Sequence, residues 1–158
     1  MKIATVNHLK ITQDTLKQLI SSQTNHELIW ATDNAPDTLK NIINNPPDLL
    51  LLDLSLQTTS GAELTRLIMQ SSPCPILILS TTIEGNSNLI YEAMSHGAID
   101  AVCTPSLNNE NKIQDAPPLL EKIDQIGRII GKINAPLRKC SLFPLPTPSV
   151  YSLKLRTY

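Results

Sequence analysis

The sequence predicts a doubly wound α/β domain, with five parallel strands covered by helices on both faces. Two observations predict it. Short apolar runs alternate with longer stretches of helical period along the first 133 residues. That alternation demands parallel strands joined by right-handed crossovers. Two of the runs, Asp48–Asp53 (DLLLLD) and Pro75–Ser80 (PILILS), are almost continuously apolar, as a strand must be when both of its faces are covered.

The elements follow in order. Lys2–Val6 reads as the first strand, and Thr12–Thr24 as a helix with Leu16, Leu19 and Ile20 on one face. Glu27–Thr32 is the second strand, with Trp30 as a packing residue. Pro36 suits the first turn of the next helix, because its fixed φ is already helical; Leu39, Ile42 and Ile43 should point inward. Asp48–Asp53 is the central strand, and the helix after Gly61 carries Leu64, Leu67 and Ile68. Pro75–Ser80 is the fourth strand. Leu89, Ile90, Ala93 and Met94 mark a fourth helix, which Gly97 closes. Ala98–Cys103 is the fifth strand. A polar loop then leads to a last helix, Leu119–Ile133, through Leu120, Ile123, Ile126, Ile130 and Ile133.

Residues 134–158 differ in kind. Pro136, Pro144, Pro146 and Pro148 break any helix, and the segment has no acidic residue. Arg138, Lys139, Lys154 and Arg156 give it +4, against nine basic and 14 acidic residues in the first 133. The expectation is a domain at 1–133 and a Pro-rich linker or tail at 134–158, leading toward a further domain not contained in the chain. Tyr151, Leu153 and Leu155 alternate there as at the start of another strand.

Composition excludes several classes of function. Apolar residues make up 41% of the chain, the proportion of an ordinary soluble protein. One Trp, one Phe and three Tyr offer no platform for stacking bases, and a formal charge of −1 offers no basic stripe, so no nucleic acid is expected. No run approaches the roughly 18 apolar residues of a membrane span, and the N-terminus is too polar for a signal peptide. Cys74, Cys103 and Cys140 are far apart and form no metal-binding spacing. The chain therefore reads as a cytoplasmic protein with reduced thiols and no membrane contact.

In open parallel sheets ligands bind at the carboxyl ends of the strands. This places Asn7, His8, Asp53, Ser80, Thr81 and Thr104 at one edge. A carboxylate at a strand end, such as Asp53, can accept a phosphoryl group when a divalent ion neutralises the approaching charge. His8 with Asp53 makes two metal ligands at most, short of a closed site, so a loop histidine that is solvated or hydrogen-bonded is expected. His26 and His96 stand near helix ends, where interaction with a helix dipole is expected.

The order and spacing resemble two-component receiver domains, most closely the receiver at the front of the chemotaxis protein-glutamate methylesterase. LLLLDLSLQTTSGAEL is similar to that family's third strand, phospho-acceptor Asp and following Gly-containing loop. CPILILSTTIEGNSNLIYEAMSHGAIDAVCTPSL is similar to its fourth strand, switch hydroxyl, helix and fifth strand ending in Pro. The resemblance covers residues 1–133 and implies a flavodoxin-like receiver fold, with Asp53 as phospho-acceptor and Ser80 as switch hydroxyl.

The departures from the family fall at the site. Receivers place two adjacent acids after the first strand to hold Mg²⁺, where this chain has Asn7 and His8. They place a Lys before the Pro, where this chain has Thr104. The resemblance thus implies a degenerate receiver with no bound cofactor, serving as an interaction module in two-component or chemotaxis signalling. The implied partners are a histidine kinase, chemotaxis components or a second copy, meeting residues 89–103 and 119–133. Two alternatives stand beside it. One is a receiver phosphorylated on Asp53, with Mg²⁺ held by Asp53 and backbone groups. The other is the regulatory fragment of a chemotaxis methylesterase, whose catalytic domain, with its Ser nucleophile and His and Asp partners, has no room in 158 residues; the chain itself is then no enzyme.

Overall fold

The computed structural model describes residues 1–23 and 25–131. Its strands are β1 (Lys2–Val6), β2 (Glu27–Thr32), β3 (Leu49–Asp53), β4 (Ile76–Ser80) and β5 (Asp100–Cys103). They form one parallel sheet in the order β2-β1-β3-β4-β5. The connecting helices are α1 (Lys10–Ser21), α2 (Ala35–Asn44), α3 (Gly61–Ser71) and α4 (Ser87–Ser95), and α5 (Ala116–Ile129) follows β5.

Alternation along β3 builds two cores at once, because successive strand side chains point to opposite faces. Leu50 and Leu52, with Ile76 and Ile78 of β4, pack against Ile42, Leu64, Ile68, Ile90 and Ala93 from α2, α3 and α4. Leu49 and Leu51, with Leu77 and Leu79, pack against Leu16, Leu19 and Ile20 of α1 and Leu119, Ile123 and Ile126 of α5. All four leucines of β3 are wholly removed from water, each worth about 1.5–3 kcal/mol of transfer free energy. Cys74 lies in the first of these cores, and burial pushes its thiol up to about 11, which leaves it inert at neutral pH.

The five-stranded parallel sheet stands as expected, and the differences lie at element ends and faces. α1 runs from Lys10 to Ser21 rather than from Thr12 to Thr24. α5 starts at Ala116, ahead of Leu119, because Pro117 and Pro118 occupy its first turn, where no backbone N–H is needed. The loop between β5 and α5 contains a short antiparallel pair, β6 (Ser106–Leu107) and β7 (Ile113–Gln114). Ile43 does not face inward: it is 63% exposed. α2 buries the narrow stripe Ala35, Thr38 and Ile42, and Ile43 falls one position beyond it. α4 buries Ile90 and Ala93 and leaves Leu89 and Met94 39% and 38% exposed. Among the described residues no helix is long and apolar enough to cross a membrane. α5 ends at Ile129, with Ile130 as its C-cap and Gly131 at a φ of 78°, short of the expected Ile133, because a left-handed glycine stops the helix. The linker or tail expected at 134–158 lies outside the described residues.

The α2 faces give a direct test by denaturant unfolding. We expect Ile42→Ala to cost about 2–4 kcal/mol and Ile43→Ala less than about 0.5 kcal/mol. Equal losses at the two positions would mean that α2 is rotated from the orientation described.

Candidate functional site at the carboxyl ends of the strands

The parallel sheet brings every strand's carboxyl end to one edge, and β3 lies between β1 and β4. Asp53 is thus flanked by Asn7 and His8, which follow β1, and by Ser80, which ends β4. Of the residues singled out in the sequence, the structure joins two directly. His8 Nδ1 lies 3.0 Å from Asp53 Oδ2, with the side chains 22% and 10% exposed. The other carboxylate oxygen, Oδ1, accepts the backbone N–H of Ser55 at 3.0 Å. Both oxygens of this buried carboxylate therefore have a partner, as burial of a charge requires.

Asn7 is buried and occupied elsewhere. Its Oδ1 accepts the N–H of Leu9 at 2.9 Å, a local turn that leads into α1. Its backbone N–H donates to Thr32 O at 3.0 Å, and its carbonyl accepts from Gln13 Nε2, which also donates to Thr32 O. Ser80 is equally engaged. Its hydroxyl donates to the carbonyl of Thr82 and accepts from Asn86 Nδ2, each at 2.8 Å, and so shapes the turn before α4. Thr104 donates its N–H to Ser80 O at 2.9 Å, while its buried hydroxyl has no partner among the described residues. Thr81 is exposed. No hydrogen bond links Asn7, Ser80 or Thr104 to Asp53 among the described residues.

The loop after Asp53 is drawn tight beneath it. A Cβ on Gly61 would lie 2.6 Å from the Asp53 carbonyl oxygen and 2.7 Å from Leu54 Cα, so only glycine fits this close backbone approach. Gly61 N–H closes the loop on Leu54 O at 2.8 Å. Ser60 caps α3 by accepting the N–H of Glu63, and a hydrogen bond from Arg66 holds the Glu63 carboxyl below its usual range.

Two further residues were not found in the sequence as they stand here. His26 is not at a helix end: it lies in the turn before β2, with its side chain buried and Nε2 2.7 Å from Asp124 Oδ1 on α5. The partners are 98 positions apart, and no local pattern could join them. Asn86, which secures Ser80, reads in the sequence only as a loop residue. His96 does stand at the end of α4, 3.9 Å from Glu92.

The family model of the response regulator receiver domain matches residues 3–116. The chain belongs to that family. This receiver is 37% identical over 149 residues to protein-glutamate methylesterase/protein-glutamine glutaminase 1 of Pseudomonas fluorescens, a match covering 94% of the chain and 44% of that protein. It is 39% identical over 131 residues to protein-glutamate methylesterase/protein-glutamine glutaminase 2 of Burkholderia pseudomallei, covering 83% and 38%. The chain spans less than half the length of these curated relatives. The crystal structure of the response regulator domain of Thermotoga maritima CheB superposes with a TM-score of 0.72 at 24% identity, covering 85% of this chain and 98% of that one. A chain in the structure of the P1 domain of CheA3 in complex with CheY6 from R. sphaeroides gives 0.66 at 19% identity, covering 80% and 96%. These two likenesses show the fold.

Receivers imply a bound Mg²⁺, and the residues present do not fit one. Mg²⁺ asks for near-octahedral oxygen ligands. Here one carboxylate serves, and one of its oxygens faces an imidazole, while the neighbouring amide oxygen of Asn7 already accepts a backbone N–H. Among the described residues no group of three His, Cys, Asp or Glu gathers to hold an ion.

The contact beneath Asp53 can be tested by one methyl group. We expect Gly61→Ala to lower stability by about 1–3 kcal/mol in urea unfolding, as overpacking against backbone does. An unchanged midpoint would show that the loop after β3 sits away from Asp53.

Proposed function

We propose that this receiver works as a protein-interaction module in chemotaxis or two-component signalling, and that Asp53 no longer accepts a phosphoryl group. The observation that carries this reading is the His8–Asp53 contact of 3.0 Å, formed where receivers keep acids for Mg²⁺. Phosphorylation would add about −1.5 to −2 charges at neutral pH. At Asp53 that charge would enter a site with no second carboxylate to recruit a cation, and with Thr104 where receivers carry Lys. Attack through Oδ2 would require His8 to leave it, and attack through Oδ1 would require Ser55 N–H to leave it.

The surface suited to a partner comprises α4, β5 and α5, residues 89–103 and 119–133. Leu89, Tyr91, Met94, Ile99 and Ile129 are its exposed apolar residues, and the partner classes are a histidine kinase, other chemotaxis components or a second copy. The division into a receiver at 1–133 and a linker or tail at 134–158, cytoplasmic location, and the lack of enzymatic, membrane and nucleic-acid functions belong to the same proposal. A second reading is favoured by the relatives' names and length: the chain is the regulatory part of a chemotaxis methylesterase, with the catalytic domain beyond it. Both readings share the site described above.

Two measurements test the proposal. Asp53→Asn should leave affinity for a signalling partner within about 0.5 kcal/mol of the unmodified protein; a lost interaction with intact circular dichroism would count against it. In the second, the protein is treated with acetyl phosphate and Mg²⁺, and alkali-labile acyl phosphate is sought by intact mass. The unmodified chain should form none at Asp53. The combined variant Asn7→Asp, His8→Asp, Thr104→Lys should form it, because the acids would recruit Mg²⁺ and the lysine would pair with the phosphoryl oxygens. An acyl phosphate on the unmodified Asp53 overturns the proposal.

A further inference from the structure

The pair that disfavours chemistry at Asp53 is well arranged for chemistry at its partner. An ionised carboxylate can only accept hydrogen bonds, so the ring nitrogen 3.0 Å from Asp53 Oδ2 must carry the hydrogen. In neutral His8 this leaves the lone pair on Nε2. The side chain is 22% exposed, and Nε2 has no hydrogen-bond partner among the described residues. A histidine with Nδ1–H held by a carboxylate and Nε2 facing outward is the arrangement of an activated nucleophile. We propose that His8, through Nε2, is a phosphoryl-acceptor site of this chain, charged by a small acyl phosphate or phosphoramidate.

The step balances without a metal. The Nε2 lone pair attacks phosphorus and forms the N–P bond. With an acyl phosphate, the P–O bond to the acyl group breaks and its electron pair leaves with the carboxylate; with phosphoramidate, protonated on nitrogen at neutral pH, the P–N bond breaks and its electron pair leaves with ammonia. The ring takes up positive charge, which Nδ1–H holds against Asp53, and no proton has to move. Placement of the new charge separates the two candidate acceptors. On Asp53, only 10% exposed at its side chain, the phosphoryl oxygens would be largely cut off from water with no cation beside them. On Nε2 they would extend from a partly exposed ring whose own positive charge lies one bond away.

The inference rests on the reading that Asp53 is not the acceptor, and the experiment separates the two. The full chain is treated at neutral pH with acetyl phosphate, and separately with phosphoramidate, in the absence of divalent metal. The mass gain is located by fragmentation. An N–P bond survives alkali and breaks in acid, whereas an acyl phosphate breaks in alkali. We expect an alkali-stable, acid-labile adduct on His8, absent from folded His8→Gln and retained in His96→Gln. Asp53 acts as a positioning residue, so Asp53→Ala should slow the adduct by about tenfold or more, and Asp53→Asn, which keeps an accepting oxygen, should recover part of that loss. An adduct on Asp53 overturns this inference and the proposed function together. No adduct on the folded protein, or one that persists in His8→Gln, overturns the His8 site alone.

Discussion

Complete burial of β3 is the constraint on which the remaining structure depends. Leu49, Leu50, Leu51 and Leu52 leave no face of the strand in water, so the strand needs a neighbour on each side and helices above and below. β1 and β4 supply the neighbours, α1 and α5 cover one face, and α2, α3 and α4 cover the other. Parallel pairing then places Asp53, the first polar residue after the leucines, between the ends of β1 and β4. The site's position is a consequence of packing, and Gly61 completes it by letting the next helix begin against the Asp53 carbonyl.

That position sets an electrostatic demand. A carboxylate at the rim of an apolar core cannot stay ionised without partners. Ser55 N–H and His8 supply one partner to each oxygen. A divalent ion flanked by acids would meet the same demand with a larger charge and an open coordination sphere. An imidazole meets it with at most one charge and a fixed direction, and it leaves its second nitrogen free. With Asn7 and His8 at the end of β1, the carboxylate is satisfied by an imidazole and a backbone N–H.

Much of this was legible in the sequence, for reasons that differ between elements. The strands were readable because runs such as LLLL and ILIL have no other use in a chain of this charge, and β1 and β2 carry the bounds read from their residues. Helix faces were readable only where the buried stripe is wide. On α1, Leu16, Leu19 and Ile20 are all buried, but α2 buries a narrow stripe, so Ile43, assigned inward on hydrophobicity alone, lies exposed. The start of α5 was hidden by Pro117 and Pro118, which break a helix anywhere except in its first turn. The site residues could be gathered from topology, since strand ends are countable. Their partners could not: His8 with Asp53 spans 45 positions and His26 with Asp124 spans 98, and hydrogen-bond geometry at such separations has no local signature.

None of the residues at the carboxyl edge contributes to either apolar core. Asn7, His8, Asp53, Ser80 and Thr104 are absent from both clusters, which contain apolar side chains from all five helices and from the sheet. The local cost is the satisfaction of Asp53, which His8 provides, and the hydroxyl of Thr104, which remains without a partner among the described residues, a penalty of about 1–3 kcal/mol at most. The leucines, isoleucines and Gly61 that build the fold are thus under one set of constraints, and the polar residues at its edge are under another. The architecture of this receiver does not depend on the polar residues at its strand ends, because the burial that holds the fold lies in the two apolar clusters.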